Sequence, residues 1–161
     1  MVERDDMTAE ELDGILTWSI VRVARLAGQR LTDRLAGHDL NPIQFGVLAH
    51  LAIETEMTQA DLARSVLVRP QSIAPLLDGL QERELIVRTG HRARGRRNPV
   101  RITPEGRSAL DAVRGIALSS NDLTDAGLAL SESAELNRLL LKVIHATDGA
   151  RPRDTDDLWH L

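Results

Sequence analysis

The chain has 161 residues, 42% of them apolar, and a net charge of −4. That is the size and composition of a globular domain with a real core, not of a disordered chain. It has no cysteine, which excludes disulfide scaffolds, thiolate metal sites and cysteine nucleophiles, and no apolar run near the roughly 18–20 residues of a membrane span. The acidic start Met1-Val2-Glu3-Arg4-Asp5-Asp6 lacks the basic and then apolar pattern of a signal peptide, so a soluble cytoplasmic protein is expected.

Residues 9–36 read as one long amphipathic helix, with Leu12, Ile15, Leu16, Val23, Leu26, Leu31 and Leu35 spaced three or four apart. Gly37-His38-Asp39 stops it. Asn41-Pro42 is a cap followed by proline at the first helical position, and predicts a helix over 42–53 with Ile43, Val47, Leu48 and Leu51 inward. Thr58 is the next N-cap, for a short helix from Gln59 to about Ser65. Arg69-Pro70 starts another, to about residue 83, with Ile73, Leu76, Leu77 and Leu80 on one side. Two short helices joined by a tight turn are a candidate helix-turn-helix.

The period then changes. Leu85-Ile86-Val87-Arg88 and Val100-Arg101-Ile102-Thr103 are short β-prone stretches around a segment holding Gly90, Gly95, Asn98 and Pro99, which predicts a hairpin with a long tip. Residues 88–107 carry seven arginines against one glutamate, +6 in all, leaving −10 for the rest of the chain. A basic island on an acidic body is an electrostatic footprint that the overall charge hides. Nineteen of the twenty basic residues are arginine, which suits bidentate phosphate contacts but equally the codon bias of a GC-rich genome. Thr103-Pro104-Glu105 opens a helix from about 104 into the 120s, and Ser131-Glu132-Ser133 opens the last, with Leu136, Leu139, Leu140, Val143 and Ile144 on its apolar face. Residues 148–161 read as a tail.

A helix-turn-helix followed at once by a basic hairpin has the order of a winged helix, whose second helix enters the major groove while the hairpin reaches the backbone or minor groove. Four stretches carry a family resemblance: Thr58-Gln59-Ala60-Asp61-Leu62-Ala63, then Arg69-Pro70-Gln71-Ser72-Ile73, then Leu80 to Arg88, then Val100-Arg101-Ile102-Thr103-Pro104-Glu105-Gly106. In order and spacing they resemble the multiple-antibiotic-resistance regulator (MarR) family, over nearly the whole chain. The resemblance implies a mainly α fold with a small β-hairpin wing. Residues 42–103 would form a winged helix-turn-helix DNA-binding lobe, and 9–36 with 104–147 a helical dimerisation region. It further implies a homodimer on a pseudo-palindromic operator and a transcriptional regulator, a repressor by default, released by a small effector. The apolar stripes near both chain ends agree with a dimer, since one small domain cannot easily cover them all.

Two departures from the family pattern stand out. Arg94 occupies a place where many members have an aspartate that helps hold the wing; the stretch His91…Gly95-Arg96 still resembles a variant wing, so the tip role is carried to Arg96. Pro75 stands where members often have a polar or basic residue. It removes a helix hydrogen bond, opens the helix to a kink and offers no base contact, so readout is expected to rest on the first turn.

The expected DNA contacts are Thr58, Gln59, Arg69, Pro70, Gln71, Ser72, Arg92, Arg94, Arg96 and Arg97. Gln71 suits adenine N6/N7 and Arg69 guanine O6/N7. Thr58 and Gln59 begin a helix whose amides suit a phosphate, although pure capping explains Thr58 equally well. The wing arginines could be a solvated charge run; their concentration on one turn of an acidic protein favours an anion. Trp18 and Arg22, one helical turn apart, and Phe45 are candidates for an effector pocket taking a small aromatic or anionic ligand; the alternative is a dimer-core tryptophan beside a surface arginine. Gln44-Phe45-Gly46-Val47 lacks the carboxylate that accompanies such a tryptophan in members sensing purine-like ligands. The five histidines form no ligand-spaced pair, and no phosphate loop, nucleophile elbow or dinucleotide fingerprint occurs. No metal, cofactor, catalytic residue or membrane association is therefore expected. The rival reading is a helical interaction module whose basic hairpin binds an acidic protein or lipid partner.

Overall fold

The computed structural model describes residues 6–89 and 99–148. The expected helix over 9–36 is two helices: α1 (Ala9–Asp13) and α2 (Leu16–Leu35). Thr8 and Glu11 close a capping box on α1. Gly14 then caps it, its amide bonded to the Glu10 carbonyl at 2.9 Å, and Ile15 is extended, with φ −81° and ψ 100°. The apolar spacing runs on across the break, which is why periodicity alone misses it. A 3-10 turn, Ala36–His38, ends in Asp39 at φ 54°.

The helix α3 (Pro42–Ile53) starts as expected: Asn41 and Gln44 form a capping box and Pro42 holds the first position. Its Val47, Leu48 and Leu51 are fully buried. Then come α4 (Gln59–Ser65) and α5 (Pro70–Glu82), which pack on one another. Their inward residues Leu62, Ala63, Ile73, Leu77 and Leu80 join one core with Leu35, Leu40, Leu48, Ile86, Val100 and Val113.

The expected hairpin is present as β2 (Ile86–Arg88) and β3 (Pro99–Ile102), antiparallel with Ile86 opposite Ile102 and Arg88 opposite Val100. A third strand that the sequence reading lacks, β1 (Met57–Thr58), pairs with the other edge of β3, Met57 opposite Val100. Two residues are too few to show an alternating pattern, and β1 exists only because β3 offers its edge.

The helix α6 spans Pro104–Ser119, ending short of the 120s. Thr103 anchors it: its amide donates to the Leu85 carbonyl at 3.1 Å, its hydroxyl donates to the Glu84 carbonyl at 2.6 Å, and the same hydroxyl accepts from the Gly106 amide at 3.0 Å. Gly106 is buried against Leu85; a Cβ there would lie 2.0 Å from the Leu85 carbonyl oxygen.

The chain divides into two compact units, the first through Ala117 and the second from Leu118. The second holds a 3-10 turn, Thr124–Ala126, and α7 (Leu130–Asp148), whose start is fixed by Glu132 accepting from the Ala129 amide at 2.7 Å.

Candidate nucleic-acid interface

The turn between α4 and α5 closes with two bonds. The Leu67 amide donates to the Arg64 carbonyl at 3.2 Å and the Val68 amide to the Ala63 carbonyl at 3.0 Å. This is a Schellman motif with Leu67 in the left-handed region, φ 56°. The same motif ends α5, where Glu84, at φ 57°, bonds the Gln81 carbonyl and Leu85 the Leu80 carbonyl. Both positions favour glycine, and here both carry side chains.

Behind this turn, Thr58 caps α4. Its hydroxyl donates to Asp61 Oδ2 and accepts from the Asp61 amide at 3.1 Å. The side-chain bond from Thr58 is the main cause that holds the Asp61 carboxyl below the usual aspartate range, against the opposing effect of burial; the Arg64 guanidinium, paired with Asp61, adds to it. The capping function expected of Thr58 is therefore present, and Gln59 beside it is partly buried.

The first turn of α5 is differently placed. Arg69 is its N-cap, Pro70 its first residue, and Arg69, Pro70, Gln71 and Ser72 are all exposed. The opposite side of α5 supplies Ile73, Leu77 and Leu80 to the core. The helix runs without interruption through Pro75, also exposed.

Two of the island's arginines have internal partners. Arg88, on β2, donates through Nη1 to Asp78 of α5 at 2.7 Å and through Nη2 to the Ala74 carbonyl at 3.4 Å. Arg101, on β3, grips Glu56 at the foot of β1, Nε to Oε2 at 2.9 Å. These pairs fasten the hairpin to α5 and to the third strand. Sequence reading misses Asp78 and Glu56 because each stands far along the chain from its arginine. Arg92, Arg94, Arg96 and Arg97 lie outside the described residues.

Trp18 is partly exposed on α2, and Arg22, one turn on, bonds Asp13 at 3.2 Å. Phe45, on α3, packs against the core. Among the described residues, no group of three or more His, Cys, Asp or Glu could hold a metal ion, and no helix is long and apolar enough to cross a membrane.

A helix-turn-helix with its second helix tied to an antiparallel hairpin is a winged helix-turn-helix domain. The MarR family model matches residues 38–97. A probable transcriptional regulator from Pseudomonas aeruginosa is 30% identical over 80% of this chain and 98% of its own, with a TM-score of 0.65. The chain belongs to the MarR family. It shares its fold with the transcriptional repressor CouR bound to a 23-mer DNA duplex: 23% identity over 86% of this chain and 99% of that one, TM-score 0.74. It shares it as well with a MarR family protein of Mycobacterium tuberculosis in complex with salicylic acid: 23% identity, 86% and 98% covered, TM-score 0.65. No curated protein sequence matches the chain significantly.

Proposed function

We propose that the protein is a homodimeric transcriptional regulator that binds double-stranded DNA at a pseudo-palindromic operator, represses by occupying it, and is released by a small ligand. The observation that carries this reading is the first turn of α5. Arg69, Gln71 and Ser72 stand exposed at the start of a helix whose other face is locked into the core and whose middle is tied to the hairpin by Arg88. Such a helix can enter a major groove N-terminus first, while the arginines of residues 92–97 track the phosphates. Thr58 serves by capping α4, and Gln59 stands beside it.

Residues 9–36 and 104–147 form the dimerisation region of this proposal. Support comes from α2, where Leu16 and Leu26 are 73% and 67% exposed, and from α7, where Leu139, Leu141, Val143 and Ile144 are exposed. Apolar surface of that extent needs a partner, and a second copy offers the matching stripes. An aromatic carboxylate suits the Trp18–Arg22 pair on α2, with Phe45 on α3, by stacking and charge. The M. tuberculosis relative holds such a compound. The work is binding and not catalysis, and its place is the cytoplasm, where the DNA is.

The test is a salt titration of binding to a fluorescent duplex, with sedimentation equilibrium on the same preparation. Several phosphate contacts require affinity to fall roughly a thousandfold between about 50 and 200 mM salt. Negligible affinity for duplex DNA at low salt, or a monomer at micromolar concentration, overturns the reading.

A further inference from the structure

The outward side of α5 is unusual in what it lacks. Gln71, Pro75 and Gly79 follow one another at four-residue spacing, one turn apart, so they form a single stripe on the side away from Ile73, Leu77 and Leu80. The stripe carries no charge, and after Gln71 no long side chain. At Gly79 the position of a Cβ meets nothing within 4 Å. Acidic residues follow toward the C-terminal end, Asp78 and Glu82, both exposed, and Asp78 is held by Arg88. Close approach to base edges is therefore open along the first two turns and disfavoured beyond them.

Within that stripe Pro75 is out of place on local grounds. A proline in a helix interior leaves the carbonyl four residues back, here Gln71, without its helical donor, and most other residues would make a more stable helix. Nor does the ring stabilise the fold by burial, since Pro75 is exposed. A local preference overridden with no gain inside the fold is what a functional surface shows. What the residue offers outward is a compact, rigid apolar surface. The floor of the major groove presents one apolar group, the C5 methyl of thymine.

We propose that Pro75 is a specificity-determining residue that recognises a thymine by its methyl group, close to the adenine read by Gln71. The inference rests on the DNA-binding reading above and refines it. Four residues of helix rise about 6 Å, or roughly two base steps of about 3.4 Å, so the thymine lies within two base pairs of that adenine. This departs from the expectation that Pro75 makes no base contact: a proline offers the bases no hydrogen bond, but its ring can pack on a methyl.

The experiment uses the full-length protein. Duplexes are first selected from a random library, and each thymine of the recovered site is then replaced singly by deoxyuridine, which removes only the methyl. The wild type loses about fourfold in affinity at one position of each half-site, the worth of one buried methyl, and little elsewhere. Pro75→Ser regains a backbone N–H, melts no lower than the wild type, still binds the site, and treats thymine and deoxyuridine alike at that position. Indifference of the wild type to deoxyuridine at every position overturns the proposal whatever the variant does. Retention of the fourfold preference by a folded Pro75→Ser protein overturns it too. Failure to enrich any duplex overturns the DNA-binding reading itself, and the thymine contact falls with it.

Discussion

Arg88 on β2 and Asp78 on α5 join the hairpin to the second helix of the helix-turn-helix, Nη1 to Oδ1 at 2.7 Å. The arginine side chain is only 19% exposed and the aspartate 51%. Arg88 Nε is buried with no hydrogen-bond partner, so the guanidinium already carries a desolvation penalty that the Asp78 contact offsets. Asp78→Asn leaves a largely buried cation without its counter-charge and is expected to destabilise the fold by about 1–2 kcal/mol, below the cost for a fully buried pair because Asp78 is half in water. Urea denaturation of Asp78→Asn, Arg88→Met and the double variant measures the coupling. Additive losses would show that the two residues act separately.

Leu67 and Glu84 hold the left-handed position of two Schellman motifs, at φ 56° and 57°. A side chain there costs roughly 1–2 kcal/mol, partly offset because glycine has more chain entropy in the unfolded state and loses more of it on folding. Leu67→Gly and Glu84→Gly are each expected to stabilise the protein by about 0.5–1 kcal/mol. Because the two sites end different helices, the gains should add. Thermal melting of the two single variants and the double variant decides it, and a fall in Tm for either shows that its side chain makes an interaction worth more than the strain.

Those two residues follow helix ends that the sequence does show, near Ser65 and near residue 83; only their left-handed geometry is not legible in it. Helix starts could be read because their signals are local: Asn41 with Gln44, Thr58 with Asp61, and a proline at the first position of α3 and α5. One break is harder. Gly14 interrupts an apolar spacing that continues on both sides, so the break between α1 and α2 is not legible. The β1 strand depends on an edge supplied by Val100 and Pro99. The basic island is legible as charge, but charge does not reveal that Arg88 and Arg101 grip Asp78 and Glu56. For Pro75 the sequence shows both the helix-breaking residue and, from the inward spacing of Ile73, Leu76, Leu77 and Leu80, its outward side; the fold adds that α5 runs on through it.

Gly106 is where α6 meets the start of the sheet. A Cβ there would sit 2.0 Å from the Leu85 carbonyl oxygen and 2.8 Å from a side-chain carbon of Ile102. Backbone cannot yield as a flexible side chain can, so α6 must move away from β2. Gly106→Ala is expected to cost about 3 kcal/mol, against the small gain that alanine brings to an ordinary helix position. Denaturant titration reads this directly, and a neutral or stabilised variant would show that α6 can draw back from Leu85 without cost.

Asp61 gives the helix-turn-helix a dependence on pH. Its carboxyl is held low in the folded protein, first by the Thr58 hydroxyl. Protonation is thus harder in the folded than in the unfolded state, so the contribution is fully present above the ordinary aspartate value of about 3.9 and is lost as pH falls through the lower folded value. Glu11 and Glu135 are lowered too, by hydrogen bonds from Thr8 and from Arg138, so wild-type acid sensitivity alone is not diagnostic. The difference between wild type and Asp61→Asn isolates the residue. The gap in Tm should be widest near neutral pH and shrink below about pH 4. A gap independent of pH would mean that the substitution costs packing and not charge.

Gln71 and Arg96 divide the proposed interface into readout and grip. Gln71 is exposed in the first turn of α5, where an amide can pair with adenine N6 and N7, worth about 1–3 kcal/mol of discrimination against the wrong base. Arg96 lies outside the described residues, and its assignment rests on charge: it belongs to a cluster of arginines in a chain whose net is −4. Gln71→Ala is therefore expected to relax preference at one base pair per half-site and leave the salt slope unchanged. Arg96→Ala should weaken binding to all sequences alike and flatten the slope by about 1 for each phosphate no longer neutralised. Competition binding against a panel of single-base variants of the selected site, at two salt concentrations, reads both effects at once. If the two variants lose affinity in the same pattern across the panel, helix and hairpin do not have separate tasks, and base readout must be sought elsewhere on the lobe.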